Sequence, residues 1–207
     1  METDWSRLRL EPIRWPTFVK RTFIHTHLLI ATARRARGAV LEVGAGSGAQ
    51  SALLSRTGAH VVSIENDPRI MNVARTNIAR YGGAVQLVTA DAFTFPFRAR
   101  TFGVAMSQGL MEHFDNADIG RLVGEQLRVA RSVVFSVPSD HYPRQDAGNE
   151  RLMPPHAWQT IVESAVDSAA YRIVARYCRL DLERIKYSLL AKRWLGRFGV
   201  LVTIDPR

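Results

Sequence analysis

Between residues 42 and 48 the chain reads Glu-Val-Gly-Ala-Gly-Ser-Gly, where glycine alternates with other residues. Glycine admits positive φ and carries no Cβ, so this run can turn sharply and bring a ligand against the backbone. Gly44, Gly46 and Ala49 fit the dinucleotide-binding pattern, and Glu65, about 20 residues on, stands where an acid can take ribose hydroxyls. Three other short segments carry polar chemistry. Asp91-Ala92 closes the apolar run that starts at Ala84. Ser107-Gln108-Gly109 leads into Met111-Glu112-His113. Ser139-Asp140-His141-Tyr142-Pro143 follows the run that ends at Pro138. Histidine titrates near neutrality, so His113 and His141 are candidates for proton transfer, with Glu112 beside the first.

The elements that must position these residues follow from hydrophobic period. Residues 16–36 place Phe18, Val19, Ile24, Leu28, Leu29 and Ala33 at helical spacing, which predicts a leading helix. Short apolar runs at Ala39–Val43, His60–Ile64, Ala84–Thr89, Thr101–Met106 and Ser132–Val137 predict five strands. Helices are expected from Ala49 to Arg56, after Asp67-Pro68, and over Ile119–Ala130. Strands alternating with helices predict an α/β, Rossmann-like doubly wound sheet with right-handed crossovers and helices on both faces. Tyr171–Cys178 and Phe198–Ile204 bring the sheet to about seven strands, mostly parallel with the last one antiparallel. Between these two, Leu182, Ile185, Leu189 and Leu190 read as a helix, and another is expected at His156–Ser168. The 207 residues, 46% of them apolar, suffice for one well-buried domain. Its parts are an N-terminal helical cap (1–38), a core (39–138), a loop and helix (139–170) and C-terminal strands (171–207).

The four strand tips together resemble those of the class I S-adenosylmethionine-dependent methyltransferases of small molecules, over roughly residues 38–138. That family has an acid two residues before the first glycine, a place occupied by Glu42. The resemblance implies S-adenosylmethionine as cofactor. It puts Glu42, Gly44, Ala45 and Gly46 beside the methionine portion, Glu65 and Asn66 at the ribose, Asp91 and Ala92 at the adenine, and Ser107 and Gln108 at the fourth tip. It also implies that the leading helix closes over the cofactor, bringing Trp15, Phe18, His25 or His27 towards the cleft. The fourth tip ends in Glu112-His113, as in relatives that methylate small molecules. Some relatives bind a divalent metal through Glu-x-x-Glu-His here, but the first acid is replaced by Gly109, so no metal is expected.

The cofactor carries its own electrophile, so the protein must mainly align a nucleophile and exclude water. His113 is the first candidate base, with Glu112 and His141 also assigned to catalysis. His141 and Tyr142, at the carboxyl end of strand five, are expected to contact a small-molecule acceptor. Asn149, Glu150 and Arg151 read as ties for their loop. A nicotinamide oxidoreductase shares the glycine turn but needs neither Asp91 nor the Glu-His tip. A nucleic-acid methyltransferase is motivated by the charge of +9, concentrated in residues 1–38 (8 basic, 3 acidic) and 171–207 (9 basic, 3 acidic). It is disfavoured because the fourth tip lacks the Pro-Pro-aromatic motif of base-amine methyltransferases. Apolar runs are too short to span a bilayer, and a single cysteine, Cys178, suits a reducing cytoplasm.

Overall fold

A computed structural model of the chain describes residues 11–143, 145, 148–178 and 197–207. The elements run α1 (Trp15–Ile24), α2 (Thr26–Ala33), β1 (Val40–Val43), α3 (Ala49–Ser55), β2 (Val61–Glu65), α4 (Pro68–Tyr81), β3 (Val85–Thr89) and β4 (Phe102–Gln108). A 3₁₀ turn at Met111–His113 follows, then α5 (Asn116–Val129), β5 (Ala130–Pro138), α6 (Pro155–Ala165), β6 (Tyr171–Tyr177) and β7 (Gly199–Pro206). The helix expected around Leu182–Leu190 lies outside the described residues.

Seven strands form one sheet in the order β3-β2-β1-β4-β5-β7-β6. The first five pair in parallel, while β7 enters between β5 and β6 and pairs antiparallel with both. This is the doubly wound sheet with a reversed last strand that the sequence predicts. The parallel crossovers bring the carboxyl ends of β1 to β5 to one edge, where such sheets bind ligands.

Period-two alternation divides the side chains between two layers. Val40, Val61, Val104, Met106 and Val134 meet Leu28 and Ala31 of α2 and Leu54 of α3 on one face. On the other face Leu41, Val43, Ala105, Val133 and Phe135 pack against Ile119 and Leu122 of α5 and Trp158 of α6. Trp158 is fully buried, its ring edge-on to Phe135 at 5.9 Å.

One local feature differs from the sequence expectation. The leading helix is broken at His25 into α1 and α2. Thr22 donates its hydroxyl to the Phe18 carbonyl, and Thr26 donates to those of Thr22 and Phe23, a competition with the backbone ladder that disfavours a straight helix. The crossover from β3 to β4 holds no helix. Phe95 is buried there, with Phe97 and Phe102 edge to face at 5.0 Å, and Phe95 N donates to Glu125 of α5. Aromatic burial thus covers the sheet where a crossover helix is usual.

Helix α4 starts on a local signal. Asp67 Oδ1 accepts from Arg69 N at 2.8 Å, and Pro68 occupies the first helical position. Asp67→Ala is expected to cost about 1 kcal/mol of folding free energy, read from the shift in a urea midpoint.

Candidate active site

The glycine turn after β1 takes its shape from Gly44, Gly46 and Gly48, at φ of 78°, 50° and 70°. A Cβ at Gly48 would press on the Ala74 carbonyl at 3.1 Å, so glycine there lets α4 pack closely. A Cβ at Gly46 would meet nothing within 4 Å, so this part of the turn is open to a ligand. The turn's amides are largely spoken for: those of Gly44 and Ala45 donate to the Ile64 carbonyl, and Gly48 N donates to the Ala45 carbonyl. The turn therefore offers shape more than donors.

Two acids hold it in place. Glu42 is 3% exposed, and its Oε2 accepts from Ser51 of α3 and from Ser63 of β2, the latter at 2.9 Å. Burial pushes its carboxyl up to about 7, against the hydrogen bonds from Ser51 and Ser63. Glu42 thus sits beneath the turn and joins β1, β2 and α3. Glu65, at the end of β2, accepts from Gly46 N at 3.4 Å through Oε2 and from Asn66 N and Asp67 N through Oε1. Burial is the main cause that raises its pKa, and the backbone N–H donors oppose it.

Asp91 is exposed at the end of β3, with Oδ1 accepting from Phe93 N at 2.8 Å, and Ala92 is half-buried beside it. Ser107, at the end of β4, is 1% exposed, and its Oγ has no partner among the described residues, while Gln108 is exposed. An open turn, two acids at neighbouring strand ends and an orphaned hydroxyl fit a ligand with ribose and adenine groups. Glu65→Ala is expected to weaken binding of S-adenosylhomocysteine by about 1.5–3 kcal/mol, the scale of charge-assisted hydrogen bonds, in a calorimetric titration.

The N-terminal helix reaches this turn through Arg21, a residue with no motif around it. Its Nη1 donates to Ser47 Oγ at 2.5 Å. Behind it, Asn77 of α4 accepts from Ile13 N and donates to the Ser47 carbonyl, and Tyr81 donates to the Ile13 carbonyl. Of the residues expected to reach the cleft, Phe18 is buried and stacked on Tyr81 at 4.5 Å, and Trp15 stacks on Phe18 while remaining 58% exposed. These rings fasten α1 to α4, and His25 and His27 are half-buried.

Beyond β4 the chain turns at Gly109, whose φ of 65° favours glycine and whose N–H donates to the Ser136 carbonyl. Glu112 and His113 follow on the 3₁₀ turn. Glu112 is 3% exposed, its Oε2 lacks a partner among the described residues, and burial, with the nearby Glu150 carboxylate, pushes its pKa up to about 8. His113 Nδ1 lies 2.7 Å from Asn149 Oδ1. Arg151 donates its N–H to the Glu112 carbonyl, Nη1 to the Phe114 carbonyl and Nη2 to Asn116 Oδ1. The loop after β5 is thereby tied to the tip of β4, and Asn149 becomes a site residue. His141 and Tyr142 lie on the same loop, nearer β6. The His141 ring faces Tyr177 at 5.4 Å, and Tyr142 N donates to the Ser139 carbonyl. No group of three metal-ligating side chains occurs among the described residues, and none of their helices is long and apolar enough to cross a membrane.

Residues 40–132 match the methyltransferase domain family. A protein-L-isoaspartate O-methyltransferase of Methanoregula boonei is 40% identical over 93 residues, which are 41% of this chain; the chain spans 42% of that relative's length. Among solved structures, the PH0226 protein from Pyrococcus horikoshii superposes with a TM-score of 0.71 at 16% identity over the full length of both chains. Magnesium protoporphyrin IX methyltransferase from Synechocystis, solved with bound S-adenosylhomocysteine, gives 0.64 at 11% identity over 98% of this chain and 91% of its own. Residues 40–132 are thus similar to a methyltransferase domain, and the whole chain has the Rossmann-like fold seen in solved methyltransferases such as that of Synechocystis.

Proposed function

We infer that this chain transfers the methyl group of S-adenosylmethionine to a small molecule that approaches His113 from the loop after β5. The observation that carries the reading is the hydrogen bond from His113 to Asn149, which fixes an imidazole at the tip of β4. Glu65 and Asp91 stand at neighbouring strand ends, where they would hold ribose and adenine, with Asn66, Ala92 and Gln108 bordering them. Gly44, Ala45 and Gly46 would line the methionine portion, with Glu42 as their support. Arg21 closes α1 over the turn.

When bound, the sulfonium cofactor supplies an electrophilic methyl carbon. Asn149 Oδ1 accepts a hydrogen bond, so the His113 proton belongs on Nδ1, and Nε2 is the nitrogen that can take a proton from an acceptor hydroxyl or ammonium. In the transfer, His113 would take up the proton that the acceptor gives up. Glu112 supports the turn from its buried position. His141 and Tyr142 would contact the outer part of the acceptor.

The name of the Methanoregula relative makes a protein acceptor the second reading. Labelled S-adenosylmethionine distinguishes the two. Methyl transfer to a pool of small hydroxylated or amine acceptors, but not to an isoaspartyl peptide, supports the first, and the reverse result overturns it. The single cysteine accords with a cytoplasmic setting.

A further inference from the structure

The opposite edge of the sheet, where the strands begin, carries a second concave site. A cavity of about 360 Å³ opens between the starts of β1, β4 and β5 and the end of β7, floored by Phe102 and Gly103 and bounded by Pro206. Arg37, Arg100 and Arg131 line it, one each from the approach to β1, the approach to β4 and the first turn of β5. All three are exposed, and none has a carboxylate partner among the described residues. By contrast Arg35, beside them in sequence, is paired with Asp205 through two bonds of 2.6 Å. Neighbouring positively charged groups repel one another, so three uncompensated guanidiniums around one cavity are an arrangement that an anion would stabilise.

The backbone is built to hold them there. Arg100 is the one non-glycine residue at positive φ, 59°, among the described residues, and its N–H is fixed to the Arg128 carbonyl at 3.0 Å. A strained conformation held by its surroundings is a feature of sites more than of ordinary loops. Gly103 permits the second constraint, since a Cβ there would lie 2.4 Å from the Arg37 carbonyl oxygen, so only glycine lets the residue 37 backbone cross the start of β4. Arg172 at the start of β6 and Arg207 after β7 extend the same edge, Arg172 standing opposite Asp205, the carboxylate that Arg35 holds. With strands about 4.8 Å apart, the basic row from β4 to β6 runs across three strand spacings, more than one phosphate can cover.

We propose that this edge binds phosphate groups, and that a nucleic-acid strand, following the row from Arg37 to Arg172, is the ligand that supplies them. Guanidinium forks match phosphate oxygens in pairs, and the chain's net charge of +9 favours approach of a polyanion. Because this edge is opposite the carboxyl-end site, phosphates held here are not presented directly to His113. The site would dock the protein on a strand.

The test is fluorescence anisotropy of a labelled single-stranded RNA of about 15 nucleotides with the full chain, from about 50 to 300 mM KCl, beside calorimetry with inorganic pyrophosphate. The triple variant Arg37→Gln, Arg100→Gln, Arg131→Gln is expected to bind RNA about tenfold or more weakly at 100 mM KCl. Its slope of log affinity against log salt should be shallower by about 2, for three phosphate contacts on a single strand. A charge-matched control, Arg75→Gln, Arg80→Gln, Arg121→Gln on α4 and α5, should stay within about twofold of the parent. RNA binding lost only in the first triple supports a strand as the source. Pyrophosphate binding lost in that triple, with no RNA binding, would overturn the strand as the ligand. Equal losses in both triples, or binding of neither probe by the parent chain, would overturn the proposal. Unchanged thermal melting of both triples shows that the variants fold.

Discussion

His113→Ala is expected to lower methyl-transfer turnover by about 100-fold or more while S-adenosylhomocysteine affinity stays within about twofold. The reasoning is positional. The imidazole is held through Nδ1 at 2.7 Å from Asn149, on a turn whose backbone is tied to the loop after β5 by Arg151. Proton transfer contributes to the reaction only as the acceptor loses its proton, so removing the base should leave cofactor binding intact. Asn149→Ala removes the partner that sets the ring's tautomer and is expected to cost about tenfold in turnover, again with little change in affinity. Comparable losses in turnover and cofactor affinity in both variants would assign this pair to the fold and not to the reaction. Single-turnover kinetics with saturating cofactor, set beside calorimetry, separates the two quantities.

Glu112 predicts a different signature, a loss of stability as pH rises. Its carboxyl is pushed up to about 8 in the folded chain, chiefly by burial, whereas in the unfolded chain it titrates near 4.5. A raised pKa means that the folded state holds the proton more tightly. The stability it contributes is therefore fully present below about pH 4.5 and is lost progressively as pH rises to about 8 and beyond. At about 1.4 kcal/mol for each pKa unit, the span corresponds to a loss on the order of 3–5 kcal/mol between about pH 5 and pH 9. Glu42, pushed to about 7, acts in the same direction over the lower part of that range. Glu112→Gln, which keeps the shape and removes the charge, should flatten the dependence and make the variant more stable than the parent at pH 9. Urea unfolding at several pH values reads this directly. An unchanged slope of stability against pH in the variant would show that the carboxyl is ionised in the fold.

The two predictions concern adjacent residues that the sequence presents as one Glu-His unit, and the tertiary structure separates their parts. Glu112 is turned into the protein beside Glu150, while His113 meets Asn149 on the loop. The carboxyl is thus buried, while the imidazole is half-buried at the loop. The His141 ring faces Tyr177, and Ser139 fastens the start of that loop to the entry of β7: its hydroxyl donates to the Arg197 carbonyl, and its N–H to that of Phe198.

The sequence by itself determined the strands, their carboxyl-end tips and the class of cofactor site. The reason is that these rest on local rules: short continuous apolar runs for strands buried on both faces, glycines at positive φ in the turn, and acids standing directly after apolar runs. The Asp67 cap of α4 was legible for the same reason, being a contact between residues two apart. What only the tertiary structure decided was set by contacts between elements far apart in the chain. Arg21 reaches Ser47 across 26 residues, His113 reaches Asn149 across 36, and the Arg35 ion pair with Asp205 joins positions 170 apart. No periodic pattern encodes such pairings, because they depend on how α1 lies on α4 and how an irregular loop folds back on β4. The insertion of β7 between β5 and β6, and the gathering of Arg37, Arg100 and Arg131 at one edge, likewise follow from strand order, a property of the whole sheet.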